Sequence, residues 1–256
     1  MCMLERVYCI FSKNWAIFNR RQLTSTQYNA FIILKLLFIF FSKEIQFGLS
    51  NKQNDLGRYC VHECCLKGNV SMLKGLLAHV EDINKLDNNN QTAAHIAAKH
   101  GELECLKILT ANGIDLKQTD DAGMQVSHIA AQYNHSDIID FLFEIGISLS
   151  EPCKQGKLPF HYAAEYGSFE TLKAMTDYYI DLSFTDKDGN TAAHLSAKND
   201  KFNCLKFLVR KRIPVDKVRN NSGRNVAHIC CYYGSVRCLH WLFHNKIIDG
   251  NNLDGT

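Results

Sequence analysis

Thr92-Ala93-Ala94-His95-Ile96-Ala97-Ala98 is the stretch whose reading decides the fold, because reduced copies of it return along the chain at an almost constant interval. Histidines stand at His62, His95, His128, His161, His194 and His228, in four steps of 33 residues and one of 34. A fixed period of this length is the signature of stacked, near-identical supersecondary units.

Aligning on the histidines shows what else repeats. Small residues follow two and three positions later: Cys64-Cys65, Ala97-Ala98, Ala130-Ala131, Ala163-Ala164, Ser196-Ala197 and Cys230-Cys231. Small side chains there let two helices approach closely. Further along come Leu73, Leu106, Ile139, Leu172, Leu205 and Leu239, and three residues beyond each of them Leu76, Leu109, Leu142, Met175, Leu208 and Leu242. That spacing is the buried face of a second helix. Before each histidine stands Gly57, Asn90, Gly123, Gly156, Gly189 or Gly223, residue types suited to a turn with positive φ.

Each unit therefore reads as a turn, a short helix carrying the histidine, a loop and an amphipathic helix. With Gly68, Gly101, Gly167 and Gly234 six residues after the histidine, the pattern T-x-x-H-x-A-A resembles the ankyrin repeat. The resemblance implies an all-α solenoid of helix-loop-helix units joined by turns or hairpin loops. Its units span 54–86, 87–119, 120–152, 153–185, 186–219 and 220–252, with a further unit starting at 253–256. Departures exist. The proline of the family's motif survives as Pro159 alone, and the glycine that ends the second helix survives as Gly113 and Gly146. Tyr179, Arg212 and Lys246 hold that place elsewhere, which predicts strain or another cap in the later repeats.

The 256 residues, 46% apolar and 21% charged, can bury a large core. Residues 1–53 do not match the repeats. They carry seven of the chain's Lys and Arg and two acids, leaving the repeats nearly neutral and without an electrostatic case for nucleic acid. The apolar run Ala30 to Phe41 contains Lys35 and is shorter than the ~20 residues of a spanning helix. The segment reads as a helix covering the end of the stack, as a poorly ordered or non-native extension, or as a membrane anchor. An anchor would place the repeats outside, where Asn69, Asn90, Asn134 and Asn220 each begin a glycosylation sequon. The eleven cysteines mostly occupy repeat-defined positions as small hydrophobes, which points to the cytosol. Register explains most of the set Cys60, His62, Cys64 and Cys65, so no metal site is expected there.

Nothing in the sequence looks catalytic, and no cofactor is expected: G-x-x-x-x-G-K-[ST], G-x-S-x-G and H-E-x-x-H are all missing. Six histidines one helix pair apart cannot converge on one site, so they are expected to be structural, bonding groups near the start of the first helix, where Thr92 and Thr191 look like N-caps. A basic cluster, Lys206, Arg210, Lys211, Arg212, Lys217, Arg219 and Arg224, suits a helix C-terminus, with an acidic partner or nuclear import left open. Asp254-Gly255 repeats the turn pair Asp188-Gly189, so the sequence reads as a fragment or as lacking a closing repeat. The last full repeat should then expose Leu239, Trp241 and Leu242.

The resemblance implies a protein-binding scaffold whose partner contacts the turns and the exposed side of the first helices. The competing reading makes the chain the regulatory or docking arm of an enzyme or channel extending beyond residue 256. Three rows map the expected face. The first is Arg58, Gln91, Met124, Lys157, Asn190 and Arg224; the second is Leu66, Lys99, Gln132, Glu165, Lys198 and Tyr232; the third is Lys67, His100, Tyr133, Tyr166, Asn199 and Tyr233. A partner protein is expected to anchor on Tyr133 and Tyr166, with Tyr232, Tyr233, His100, Lys99 and Gln132 beside them and Met124, Lys157 and Arg224 at the turn tips.

Overall fold

In the computed structural model the described residues are 53–178, 180–213 and 215–248, and they form six helix pairs. The pairs are α1 (Cys60–Leu66) with α2 (Val70–Leu77), α3 (Ala93–His100) with α4 (Leu103–Ala111), and α5 (Val126–Gln132) with α6 (Ser136–Glu144). Then follow α7 (Pro159–Tyr166) with α8 (Phe169–Thr176), α9 (Ala192–Lys198) with α10 (Phe202–Arg210), and α11 (Val226–Tyr233) with α12 (Val236–His244). Among the described residues there is no strand, and no helix is long and apolar enough to cross a membrane. The expectations for the segment before the repeats and for the unit beginning at 253 lie outside the described residues.

The first helices are short and nearly all small on their inner side. Ala97, Ala98, Ala130, Ala131, Ala163 and Ala164 are fully buried, and α1, α3, α5, α7, α9 and α11 each pack on the next in one row. The second helices form an outer row whose neighbours touch more sparingly. Their apolar pairs, Leu73 and Leu76 through Leu205 and Leu208, close the core against the first helices. Truncating one of these to alanine leaves a cavity costing about 2–5 kcal/mol. Leu242 is buried like its counterparts, so it does not present the surface expected of it. Leu239 and Trp241 are half-buried, whereas Leu73, Leu106, Ile139, Leu172 and Leu205 are fully covered.

Five of the six turns before a first helix are closed by a side chain; the turn at Cys153 shows backbone bonds alone. Asp87 Oδ1 accepts from the backbone N–H of Asn89 and Gln91, and Asp120 Oδ1 from Ala122 and Met124. Asp186, Asn220 and Asn54 repeat the pattern. Adjacent turns are stitched by single backbone bonds, among them Lys154 N–H to Ala122 O at 3.1 Å and Lys187 N–H to Gln155 O at 3.0 Å. This close approach explains the glycines. Gly123 has φ +75°, and a Cβ there would lie 2.8 Å from the Lys154 nitrogen. Asn90 meets the same backbone requirement with φ 56°.

The repeated histidine ties one unit to the next. His95 Nδ1 accepts the Thr92 backbone N–H at 3.1 Å, so the proton sits on Nε2, which donates to the Met124 carbonyl of the following repeat at 3.1 Å. His62 reaches Gln91 O, His128 reaches Lys157 O, and His194 reaches Arg224 O in the same way. His161 departs by donating to Phe184 O at 3.0 Å. Thr92 and Thr191 are the N-cap residues, as the sequence indicated, with hydroxyls 2.8 Å from the Nδ1 of His95 and His194.

Burial holds the His128 and His161 rings down at about 4, below the ordinary 6.5, and shifts His62, His95 and His194 the same way. The unfolded chain thus binds protons near pH 5 that the folded chain refuses. The histidine contribution is complete above pH 6.5 and is lost as pH falls toward 4. The urea midpoint is expected to be flat above pH 7 and to drop between 6.5 and 4, with uptake of several protons per molecule unfolded. A midpoint constant to pH 4.5 would contradict the buried neutral rings. His128→Ala should both lower the pH 7 midpoint and flatten this slope.

Helix ends carry the strain anticipated at Arg212 and Lys246; Tyr179, named with them, lies outside the described residues. Gly113 and Gly146 end their second helices at φ +82° and +79°, with open space where a Cβ would go. Arg212 and Lys246 hold the equivalent place at φ 61° and 51°. The left-handed region costs a residue with a side chain about 1–2 kcal/mol, partly offset by glycine's greater freedom when unfolded. Arg212→Gly and Lys246→Gly are therefore expected to raise stability by about 0.5–1 kcal/mol each in chemical denaturation. Gly123→Ala, which adds a steric clash to the strain, should lower it by about 2 kcal/mol or more.

Candidate binding surface

The three rows differ in what they offer. The third row is exposed in every repeat: Lys67, His100, Tyr133, Tyr166, Asn199 and Tyr233. These residues end the first helices, where the chain turns into the second, so their side chains leave the packed row. Tyr133 is 42% exposed, Tyr166 50%, Tyr233 47% and the adjoining Tyr232 65%. The second row is half-buried at Leu66, Lys99, Gln132 and Glu165 and exposed at Lys198 and Tyr232.

Rings and cations interleave across repeat boundaries. Lys99 Nζ lies 5.6 Å from the centre of the Tyr133 ring, and Lys198 Nζ lies 5.4 Å from that of Tyr233. The Arg224 guanidinium covers Tyr232 at 4.2 Å, while the Tyr232 and Tyr233 rings meet edge to face at 5.0 Å. Tyr166 stacks on the buried Tyr162 at 6.4 Å, and Tyr162 lies 3.4 Å from Cys153 Sγ through its hydroxyl. Each ring is thus propped from one side and open on the other. Such pairs contribute about 0.5–1 kcal/mol at exposed sites and hold the rings in place.

The first row needs correcting. Met124 is 7% exposed and belongs to the core; what it presents is its carbonyl, the acceptor for His95. At this place the other repeats have Arg58, Gln91, Lys157, Asn190 and Arg224, whose longer or polar side chains leave the interior, whereas the apolar methionine turns in. Lys157 is also committed. It pairs with Glu165 at 2.7 Å and lies over the Tyr162 ring, with side chains 12% and 14% exposed. Gln132 and Lys99 lend their carbonyls to Ser168 Oγ and His135 Nε2 of the next repeat. Ser235 Oγ donates likewise to the Ala197 carbonyl, and the sequence did not reveal these inter-repeat bonds because the donor changes from histidine to serine between units.

Exposed apolar groups outside the mapped face are Leu56 at a turn tip, Phe184 before a turn, and Met72, Phe143, Ile145, Val236 and Phe243 on the second-helix side. The basic cluster divides. Arg210, Lys211 and Arg212 end α10, as their charge suits, and Lys211 lies over Phe207 at 5.4 Å, while Arg224 sits across the stack beside Tyr232. Both nitrogens of His62 are engaged, by the Tyr59 N–H and the Gln91 carbonyl. Among the described residues no group of three or more His, Cys, Asp or Glu is placed to hold a metal ion.

No curated protein matches the chain. A family model described as ankyrin repeats matches it three times, over residues 25–120, 114–186 and 178–254. The first match begins inside the segment set apart from the repeats in the sequence. With six helix pairs in register and matches across most of its length, the chain belongs to the ankyrin repeat family.

Proposed function

We propose that this chain is a non-catalytic scaffold that binds a partner protein along the third row, with Tyr133 and Tyr166 as anchors. Ankyrin repeats are in general protein-interaction modules. The observation that carries the finer reading is the continuity of exposure in that row, tyrosine in three of six repeats, beside two rows that the fold largely uses for itself. Large, rigid, half-exposed aromatic rings bury much area at low entropic cost, which is what binding hot spots select. Lys67, Lys99, Lys198 and Arg224 set a rim of positive charge around them, and Glu165 is already paired with Lys157. An extended segment bearing carboxylates beside apolar groups suits this face.

We further propose a cytosolic location. The nine described cysteines are free thiols. Asparagines of all four sequons are engaged by the fold: Asn69 accepts from Met72 N–H, Asn134 from Thr171 N–H, Asn90 donates to Asp121, and Asn220 donates to Asn190.

Tyr133→Ala combined with Tyr166→Ala is expected to abolish capture of the partner from a cell extract while leaving the thermal melt within about 4 °C of the unaltered chain. Survival of capture, or unfolding of the double variant, would show that the two rings are packing residues and that the partner docks elsewhere.

A further inference from the structure

Charge is divided along the stack. Residues 54–200 contain 12 Lys and Arg against 21 Asp and Glu, whereas residues 201–248 contain 10 against the single acid Asp216. The division is sharpest on the second helices. Helix α6 exposes Asp137 and Glu144, with Asp140 half-buried beneath the Tyr178 hydroxyl, and α8 ends at the exposed Asp177. Neither α10 nor α12 contains an acid; they expose Arg210, Arg237, His240 and His244.

These acidic and basic residues occupy the same heights on their helices. Asp137 and Arg237 each follow their repeat's histidine by nine residues, Asp140 and His240 by twelve, and Glu144 and His244 by sixteen. Asp177 and Arg210 likewise share the sixteenth place after His161 and His194. Phe143 and Phe243, both exposed, share the fifteenth. A twofold axis parallel to the second helices and passing between α8 and α10 keeps height and reverses the order of repeats. It sets α8 against α10 of another copy and α6 against its α12. Every pair named above then sets a carboxylate against arginine or histidine, or ring against ring, and meets twice.

We propose that the second-helix face is a self-association surface, on which two copies of this chain pack with α6 and α8 of each against α12 and α10 of the other. One like-charged pair, Lys173 with Lys206, falls near the axis, and Lys206 is drawn aside over the Phe202 ring at 5.7 Å. A free polyanion would satisfy only the basic end and be repelled by the acidic repeats, whereas a second copy uses both. The surface is made by the second helices and the tyrosine row by the ends of the first, so the two proposals rest on different residues.

Sedimentation equilibrium of the full chain tests this. A dimer is expected whose dissociation constant rises at least about tenfold between about 0.1 M and about 1 M salt, as screening shortens from ~10 to ~3 Å. Arg210→Glu with Arg237→Glu should give a monomer, as should Asp137→Lys with Asp177→Lys; all four residues are exposed, and circular dichroism melts confirm that both variants fold. Mixing the two variants restores the pairing on both sides of the axis, so a mixed dimer should return. A monomer at every concentration in low salt, a dimer unaffected by either double variant, or two variants that stay monomeric when mixed would each overturn the proposal. So would a preparation that binds a polyglutamate peptide through Arg210 and Arg237 without associating with itself.

Discussion

A neutral imidazole bridging two repeats is the interaction on which the rest of the stack depends. Its Nδ1 receives the N–H that opens its own helix, and its Nε2–H is delivered to a carbonyl in the loop leading to the next repeat, or in the turn itself. The ring therefore satisfies two backbone groups that burial would otherwise leave unpaired, each a cost of about 1–3 kcal/mol. It does so only while uncharged. Close packing of the small residues two and three places later and the turn-to-turn bonds both presuppose the spacing that this bridge sets.

Much of the architecture was legible because repetition turns weak local signals into strong ones. Gly57 alone says little; five glycines and Asn90 at an almost constant interval specify a turn with positive φ. The outer reach of the histidine was not legible, since a hydrogen bond to a backbone carbonyl leaves no trace in the side chain of the residue that accepts it. Met124 shows the opposite limit. Its place in a row of polar residues marked it as a surface group, yet an apolar side chain at a half-buried position folds inward where lysine and arginine do not. The strain at Arg212 and Lys246 could be read because the glycines at Gly113 and Gly146 define what that position requires. The division of charge needed the helices: net charge over the repeats is nearly zero, and only their arrangement shows that the two signs lie at matched heights.

The fold partitions its surface by obligation. Carbonyls and side chains near the turns are largely consumed in holding neighbours together, through Asp87, Lys157 and Gln132 among others. What is left for recognition is the line of residues at the ends of the first helices and the outward side of the second helices. Ankyrin repeats can therefore vary these residues with little effect on the core, and the tyrosines and the segregated charges of this chain stand in those places.

The histidine bridge also has a direction. The rings of His62, His95, His128, His161 and His194 all take their second bond from residues that come later in the chain. During synthesis the amino-terminal repeats leave the ribosome first, each with an Nε2–H pointing toward a turn that does not yet exist. Where the acceptor lies in the next unit, as for His62, His95, His128 and His194, a repeat becomes complete only when its successor has emerged, and a pause in the ribosome leaves one imidazole N–H without its acceptor at the growing edge.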